Sequence, residues 1–141
     1  MAKVIEQDEA NSVLFNALME SCKEIITIKD TSLRYIACNN AFLKHFELDS
    51  VDKIVGKTIY EFLPKENYDI IENNVKKIKL TSKSSTYTMK VNSKNSVKVV
   101  QQTLNPVFKN GKIKYFLTIS RDITTDENLK EQLIEKNTQL N

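Results

Sequence analysis

The chain is predicted to be an α+β domain with an antiparallel sheet, and three observations predict it. Between residues 40 and 80 apolar side chains recur at spacings of three and four, the mark of helices with one buried stripe. From residue 86 the period drops to two, with Tyr87, Met89 and Val91 alternating with Thr86, Thr88 and Lys90. Upstream, residues 24–29 (EIITIK) form a short β-branched run that ends at the turn residues Asp30-Thr31-Ser32. Strand runs parted by a block of helices favour helices packed on one face of an antiparallel sheet.

Each element has its own local reason. Residues 3–20 read as an amphipathic helix with Leu14, Phe15, Leu18 and Met19 on one stripe. Residues 24–29 and 33–38 read as two strands joined by a turn. Asn39 then suits a helix N-cap, because its side-chain oxygen can accept an orphan backbone N–H. The helix it opens carries Phe42, Leu43 and Phe46 inward. A short turn runs from Asp49 and Ser50 to Ile54 and Val55, and Gly56 marks a backbone angle other residues resist. Residues 58–63 form a short helix stopped by Pro64. Residues 66–80 form the longest central helix, with Tyr68, Ile71, Val75 and Ile78 on its stripe. Strands follow at 86–91, 96–104 and 112–121, with turns at 92–95 and at Asn110-Gly111, a tight hairpin signal.

The 141 residues suit one core with flanking helices. The net charge of +3, from 21 basic and 18 acidic residues, is spread along the length. The basic residues are almost all Lys, with Arg at positions 34 and 121 only, so an Arg-bearing nucleic-acid face is not expected. Lys76, Lys77 and Lys79 read as a solvated helix end. Cys22, Cys38 and the single His45 have no metal-ligand spacing. There is no apolar run of membrane-spanning length and no signal core, which implies a cytoplasmic protein with reduced thiols.

A set of short motifs adds a family. Residues 35–42 (YIACNNAF), 54–58 (IVGKT), 61–64 (EFLP), Asn105-Pro106-Val107, Asn110-Gly111 and the closing Arg121-Asp122-Ile123-Thr124 stand in this order. Together they resemble the PAS domain (sensory box) of the bacterial signalling type, over roughly residues 19–124. The resemblance implies a five-stranded antiparallel sheet closed on one face by helices over a small cavity. It divides the chain into an N-terminal helix at 1–20, the sensor domain at 21–124, and the start of a signalling helix at 125–141. It also implies a regulatory, non-enzymatic role beside an output domain in cis, of histidine-kinase or diguanylate-cyclase type. The family often ends its first core helix with Gly, where this chain has Glu47.

Members of the family differ in what the cavity holds. Haem-binding members usually ligate iron through a His on the long central helix; here that helix has none, and Tyr68 is the nearest substitute. His45 is expected at the surface or half-buried. The reactive Cys of an Asn-Cys-Arg-Phe type motif is missing too, so neither haem nor covalent flavin chemistry is expected, and the cofactor is unknown. Cys22 and Cys38 read as small packing residues. No GxSxG, P-loop, GxGxxG or HExxH pattern is present, so no catalytic residues are assigned.

The cavity walls expected from the sequence are Ile26 and Ile28 on the first strand, and Phe42, Phe62, Tyr68 and Ile71 on the helices. Tyr87, Met89, Gln101, Thr103 and Leu117 complete them on the later strands. With Gln101 inward, its amide would need a partner. For signal relay the expected residues are Asp122, Ile123 and Thr124, with Thr124 and Glu127 forming a capping box. Leu129, Leu133 and Leu140 share a heptad seam whose remaining position is Lys136. The apolar stripe of the first helix would cover the outer sheet face or pair with its own copy, which points to a homodimer through the flanking helices. Two readings stand open. One is a small-ligand sensor, favoured by a cavity of about 300 Å³ or more. The other is a ligand-free dimerisation and relay module, favoured by a packed interior.

Overall fold

A computed structural model describes residues 2–92 and 96–140, with the side chains of 2–7 and 138–140 left out of account. Most of the turn predicted at 92–95, and the side chain of Leu140 on the heptad seam, therefore lie outside the described residues. The element order is α1 (Ala2–Ser21), β1 (Ile25–Asp30), β2 (Tyr35–Cys38), α2 (Asn40–His45), a 3₁₀ turn (Val51–Lys53), α3 (Ile59–Phe62) and α4 (Lys65–Thr81). The chain then runs through β3 (Ser85–Asn92), β4 (Val97–Lys109), β5 (Lys112–Asp122) and α5 (Thr124–Leu140). The five strands make one antiparallel sheet in the order β2-β1-β5-β4-β3. This is the α+β architecture the sequence predicts.

Asn39 explains how the first elements are tied together. Its Oδ1 accepts from the N–H of Phe42 as the α2 cap and from the N–H of Ile26, both at 3.1 Å. Its amide donates to the carbonyls of Met19, at 3.1 Å, and Glu24, at 2.8 Å. One buried side chain thereby fixes the end of α1, the start of β1 and the entry to α2. Thr58 and Glu61 form a reciprocal capping box on α3. At the β4–β5 hairpin Asn110 and Gly111 both have positive φ, as a two-residue type I′ loop requires.

The strand expected at 96–104 runs on through Pro106 to Lys109. Proline is tolerated there because β3 pairs with β4 only as far as Leu104, so no neighbour on that side needs the missing N–H.

The core lies between the sheet and α2, α3 and α4. Phe116, Ile54, Ile59, Ile78, Leu104 and Val100 are its most deeply buried apolar members. α1 does not cover the outer sheet face. Its Val13, Leu14, Phe15 and Leu18 stay exposed, and among its described residues only Met19 near its end is buried.

Candidate functional site

The face of each strand that meets the helices is set by alternation, and on β1 it is Ile25, Thr27 and Lys29. On β5 the inner residues are Phe116, Thr118 and Ser120; on β4 they are Val100, Gln102 and Leu104; on β3 they are Tyr87, Met89 and Val91. Ile26, Ile28, Gln101, Thr103 and Leu117, all expected in the cavity, therefore belong to the opposite face, and that expectation is corrected. For Ile26, Ile28 and Leu117 the expectation followed the more apolar side chains of β1 and β5. It failed because this sheet carries apolar residues on its outer face and polar ones on part of its inner face.

Of the other expected wall residues, Phe42, Ile71 and Met89 line a small core cavity. Phe62 and Tyr68 pack against the core from the helical side without lining the cavity, Phe62 within 6.0 Å of the rings of Tyr35, Phe42 and Phe46. Tyr68 sits edge-on to Tyr60. Tyr87 takes part through its hydroxyl, which donates to Gln102 Oε1 at 2.9 Å. The cavity measures about 20 Å³, room for roughly one water molecule.

Its polar walls are the feature the sequence reading missed. Lys29 is 3% exposed and its ammonium lies inside the domain. Nζ donates to Thr27 Oγ1 at 3.1 Å and to Thr118 Oγ1 at 3.3 Å, and it sits 4.9 Å from the centre of the Tyr35 ring. Burial pulls the Lys29 ammonium down from its ordinary 10.5 to about 7. Burial likewise pushes the Tyr35 and Tyr87 hydroxyls well up, so both stay protonated. No Asp or Glu is among the residues lining the cavity.

His45, expected at the surface or half-buried, is buried against Phe46 and lines the same cavity. Its Nε2 has no hydrogen-bond partner among the described residues. Burial is the main cause holding its ring below the ordinary value, Lys98 adds to it, and Asp122 opposes it. One signal was available in the sequence: Thr27 and Lys29 on one strand, and Thr118 and Ser120 on another, keep the same two-residue spacing.

At the far end of β5 the strand-to-helix junction is closed by short bonds. Asp122 Oδ1 accepts from the Thr124 hydroxyl at 2.6 Å and from its N–H at 3.0 Å. Burial pushes the Asp122 carboxyl up, but the two bonds from Thr124 together with the charges of His45 and Lys98 leave it below its ordinary value. Thr124 Oγ1 accepts from Val99 N–H on β4 at 2.9 Å, and Ile123 N–H donates to Val99 O at 2.8 Å. The expected capping box is replaced by this arrangement. Glu127 N–H bonds the Ile123 carbonyl, making Ile123 the cap residue, while the Thr124 hydroxyl is taken up by β4 and Asp122.

The PAS-fold family model matches residues 19–128 of this chain, which is most of its length. The chain belongs to the PAS-fold family. Solved PAS structures agree at the level of the fold. The PAS domain of BvgS from Bordetella pertussis superposes with a TM-score of 0.68 at 21% identity, covering 92% of this chain and 98% of that one. The PAS domain of an HTR-like protein from Haloarcula marismortui gives 0.64 at 20% identity, covering 87% of this chain and all of that one. An RNA-binding light-oxygen-voltage receptor gives 0.72 at 14% identity, covering 92% of this PAS domain and 37% of the receptor. No curated protein matches the chain. Among the described residues no helix is long and apolar enough to cross a membrane, and no three potential metal ligands cluster.

Proposed function

We propose that this PAS domain is the regulatory input module of a signal-transduction protein of the histidine-kinase or diguanylate-cyclase type. Its core responds to a small guest, and the β5–α5 junction passes the state of the sheet to α5. One observation carries the sensing part: a cluster of buried hydrogen-bonding groups around Lys29 faces a cavity in an otherwise apolar core. Buried polar groups cost stability unless they are used, so their convergence favours a guest over simple packing. The size of the void limits that guest. A void of about 20 Å³ favours a guest far smaller than a haem or a flavin.

The same small volume favours the second reading, a ligand-free relay. Both readings share one output route. The Asp122–Thr124–Val99 bonds join β5, α5 and β4 at a single point, so a shift of the sheet moves the start of α5. In the full-length protein, Asp122→Ala is expected to leave thermal unfolding nearly unchanged and to abolish stimulus-dependent output. Wild-type output would overturn the relay role.

The flanking helices supply a partner. Leu14 and Leu18 on α1, and Leu129 and Leu133 on α5, are more than half exposed, and helices with exposed apolar stripes bury them by pairing. A second copy of the chain is the proposed occupant. Sedimentation velocity should show a dimer that Leu18→Glu weakens; a monomeric wild-type chain would remove this part of the reading.

A further inference from the structure

We propose that the core cavity is a receptor site for a small monovalent anion, of the size of formate, nitrate or chloride, with the Lys29 ammonium as its counter-cation. The proposal rests on the sensor reading and names its ligand class.

The balance of donors and acceptors around the cavity sets the charge of its guest. An ammonium has three protons. Two go to the hydroxyls of Thr27 and Thr118, which leaves one for a guest. Each of those hydroxyls accepts from Nζ, so its own proton points elsewhere and is free to donate. Ser120 adds a hydroxyl to the wall. Gln102 spends its carbonyl oxygen on Tyr87 and keeps its NH₂ to donate. His45 Nε2, unpartnered among the described residues, adds a donor in its Nε2–H tautomer, so the wall is rich in donors and carries one cation, with no carboxylate lining it. Such a set fits an acceptor-only, negatively charged guest and disfavours a cationic one.

Size and shape narrow the class further. A void of about 20 Å³ admits one water-sized group, and a planar anion of three or four heavy atoms needs small rotations of walls such as Met89. Dicarboxylates, sulfate and nucleotides are too large or too highly charged for one cation.

The test is a titration of the purified 141-residue chain, followed by amide chemical shifts at constant ionic strength. Sodium formate, nitrate and chloride are the probes, with sulfate as the oversized control. Lys29→Met is the charge-removed variant, with its unfolding curve recorded to show that it folds. Saturable shifts at Thr27, Lys29 and Thr118 with a monoanion are expected. Affinity should fall roughly thirtyfold or more in Lys29→Met, as when one partner of a buried charge pair is cut away. Equal affinity in the variant, or saturation by sulfate alone, would overturn the site. A neutral guest seen by native mass spectrometry, with no anion response, would overturn the anion and keep the sensor reading. Neither a guest nor an anion response would overturn both.

Discussion

Along β1 and the adjoining part of β5 the two faces of the sheet have exchanged their usual chemistry, while β3 and β4 keep it. The inner face carries Thr27, Lys29, Gln102, Thr118 and Ser120 among its apolar residues. The outer face carries Ile26, Ile28, Leu117 and Ile119, only partly covered. In a domain selected for stability alone the two sets would be swapped. A core that gives up apolar contacts to hold a cation is a conflict between local chemistry and global packing. Such conflicts concentrate at functional sites. The apolar outer face has its own consequence, because half-covered aliphatic side chains are ready for another surface.

Two neighbours on β5 test the difference between the faces most strongly. Phe116 points into the core and is fully buried; Leu117 points outward and is half-buried. Phe116→Ala should cost about 4 kcal/mol in urea unfolding, since it removes a large ring and leaves a cavity. Leu117→Ala should cost about 1 kcal/mol. Similar losses at the two positions would mean that the outer face is as buried as the inner one in solution, through self-association.

Lys29 gives the next largest effect, with the opposite sign. A fall in the folded-state value from 10.5 to about 7 corresponds to a cost of about 4 kcal/mol at pH 7. Lys29→Met removes that cost and also the bonds to Thr27 and Thr118, so a net gain of about 2–4 kcal/mol is expected. The pH dependence follows from which state holds the proton. Below pH 7 Lys29 is charged in both states and the cost is full. Between pH 7 and 10.5 the folded chain has released the proton while the unfolded chain keeps it, so wild-type stability rises with pH. The other titratable groups on the inner walls are Tyr35 on β2, Tyr87 on β3 and His45 on α2. Burial holds the tyrosines up and His45 down, so all three stay neutral in that window. The advantage of Lys29→Met should shrink steadily as pH rises from 7 to 10 in parallel denaturation series. An advantage independent of pH would mean that Lys29 keeps its proton in the fold throughout that window.

The fold was legible because its signals are local. Asn39 as a cap, Asn110-Gly111 as a hairpin and the change of period after residue 81 each act within a few residues. The motifs of residues 35–42 and 121–124 then placed these elements in a known order. The cavity was less legible, because alternation gives two faces and does not say which one is covered. Ile26 and Ile28 look like the inner set against Thr27 and Lys29, and only the tie from Asn39 to the backbone of Ile26 and the pairing with β5 reverse the choice. Phe42, Ile71 and Met89 escaped the error, since each lies on a stripe whose opposite face is polar. The capping box at Thr124 failed for a related reason: a tertiary bond to Val99 outcompeted a local one.

The smallest effect concerns Glu47, where the sequence departs from the glycine the family often has. Glu47 ends α2 at φ 56°, inside the left-handed region. Around it Leu48 N–H bonds Leu43 O at 2.8 Å and Glu47 N–H bonds Lys44 O at 3.2 Å, the pattern of a helix end built around a left-handed residue. A side chain there carries strain of about 1–2 kcal/mol that glycine avoids, while glycine loses more freedom on folding. The two nearly cancel, and Glu47→Gly should gain about 0.5–1 kcal/mol, raising the melting temperature by about 2 °C. Glu47 is exposed and remote from Lys29 in the chain, so anion response and output should not change. A loss of stability instead would show that the Glu47 side chain contributes a contact worth more than the strain. The helix end would then be held from the polar surface, and the stabilising apolar packing would not be the whole account of how α2 is set over the cavity.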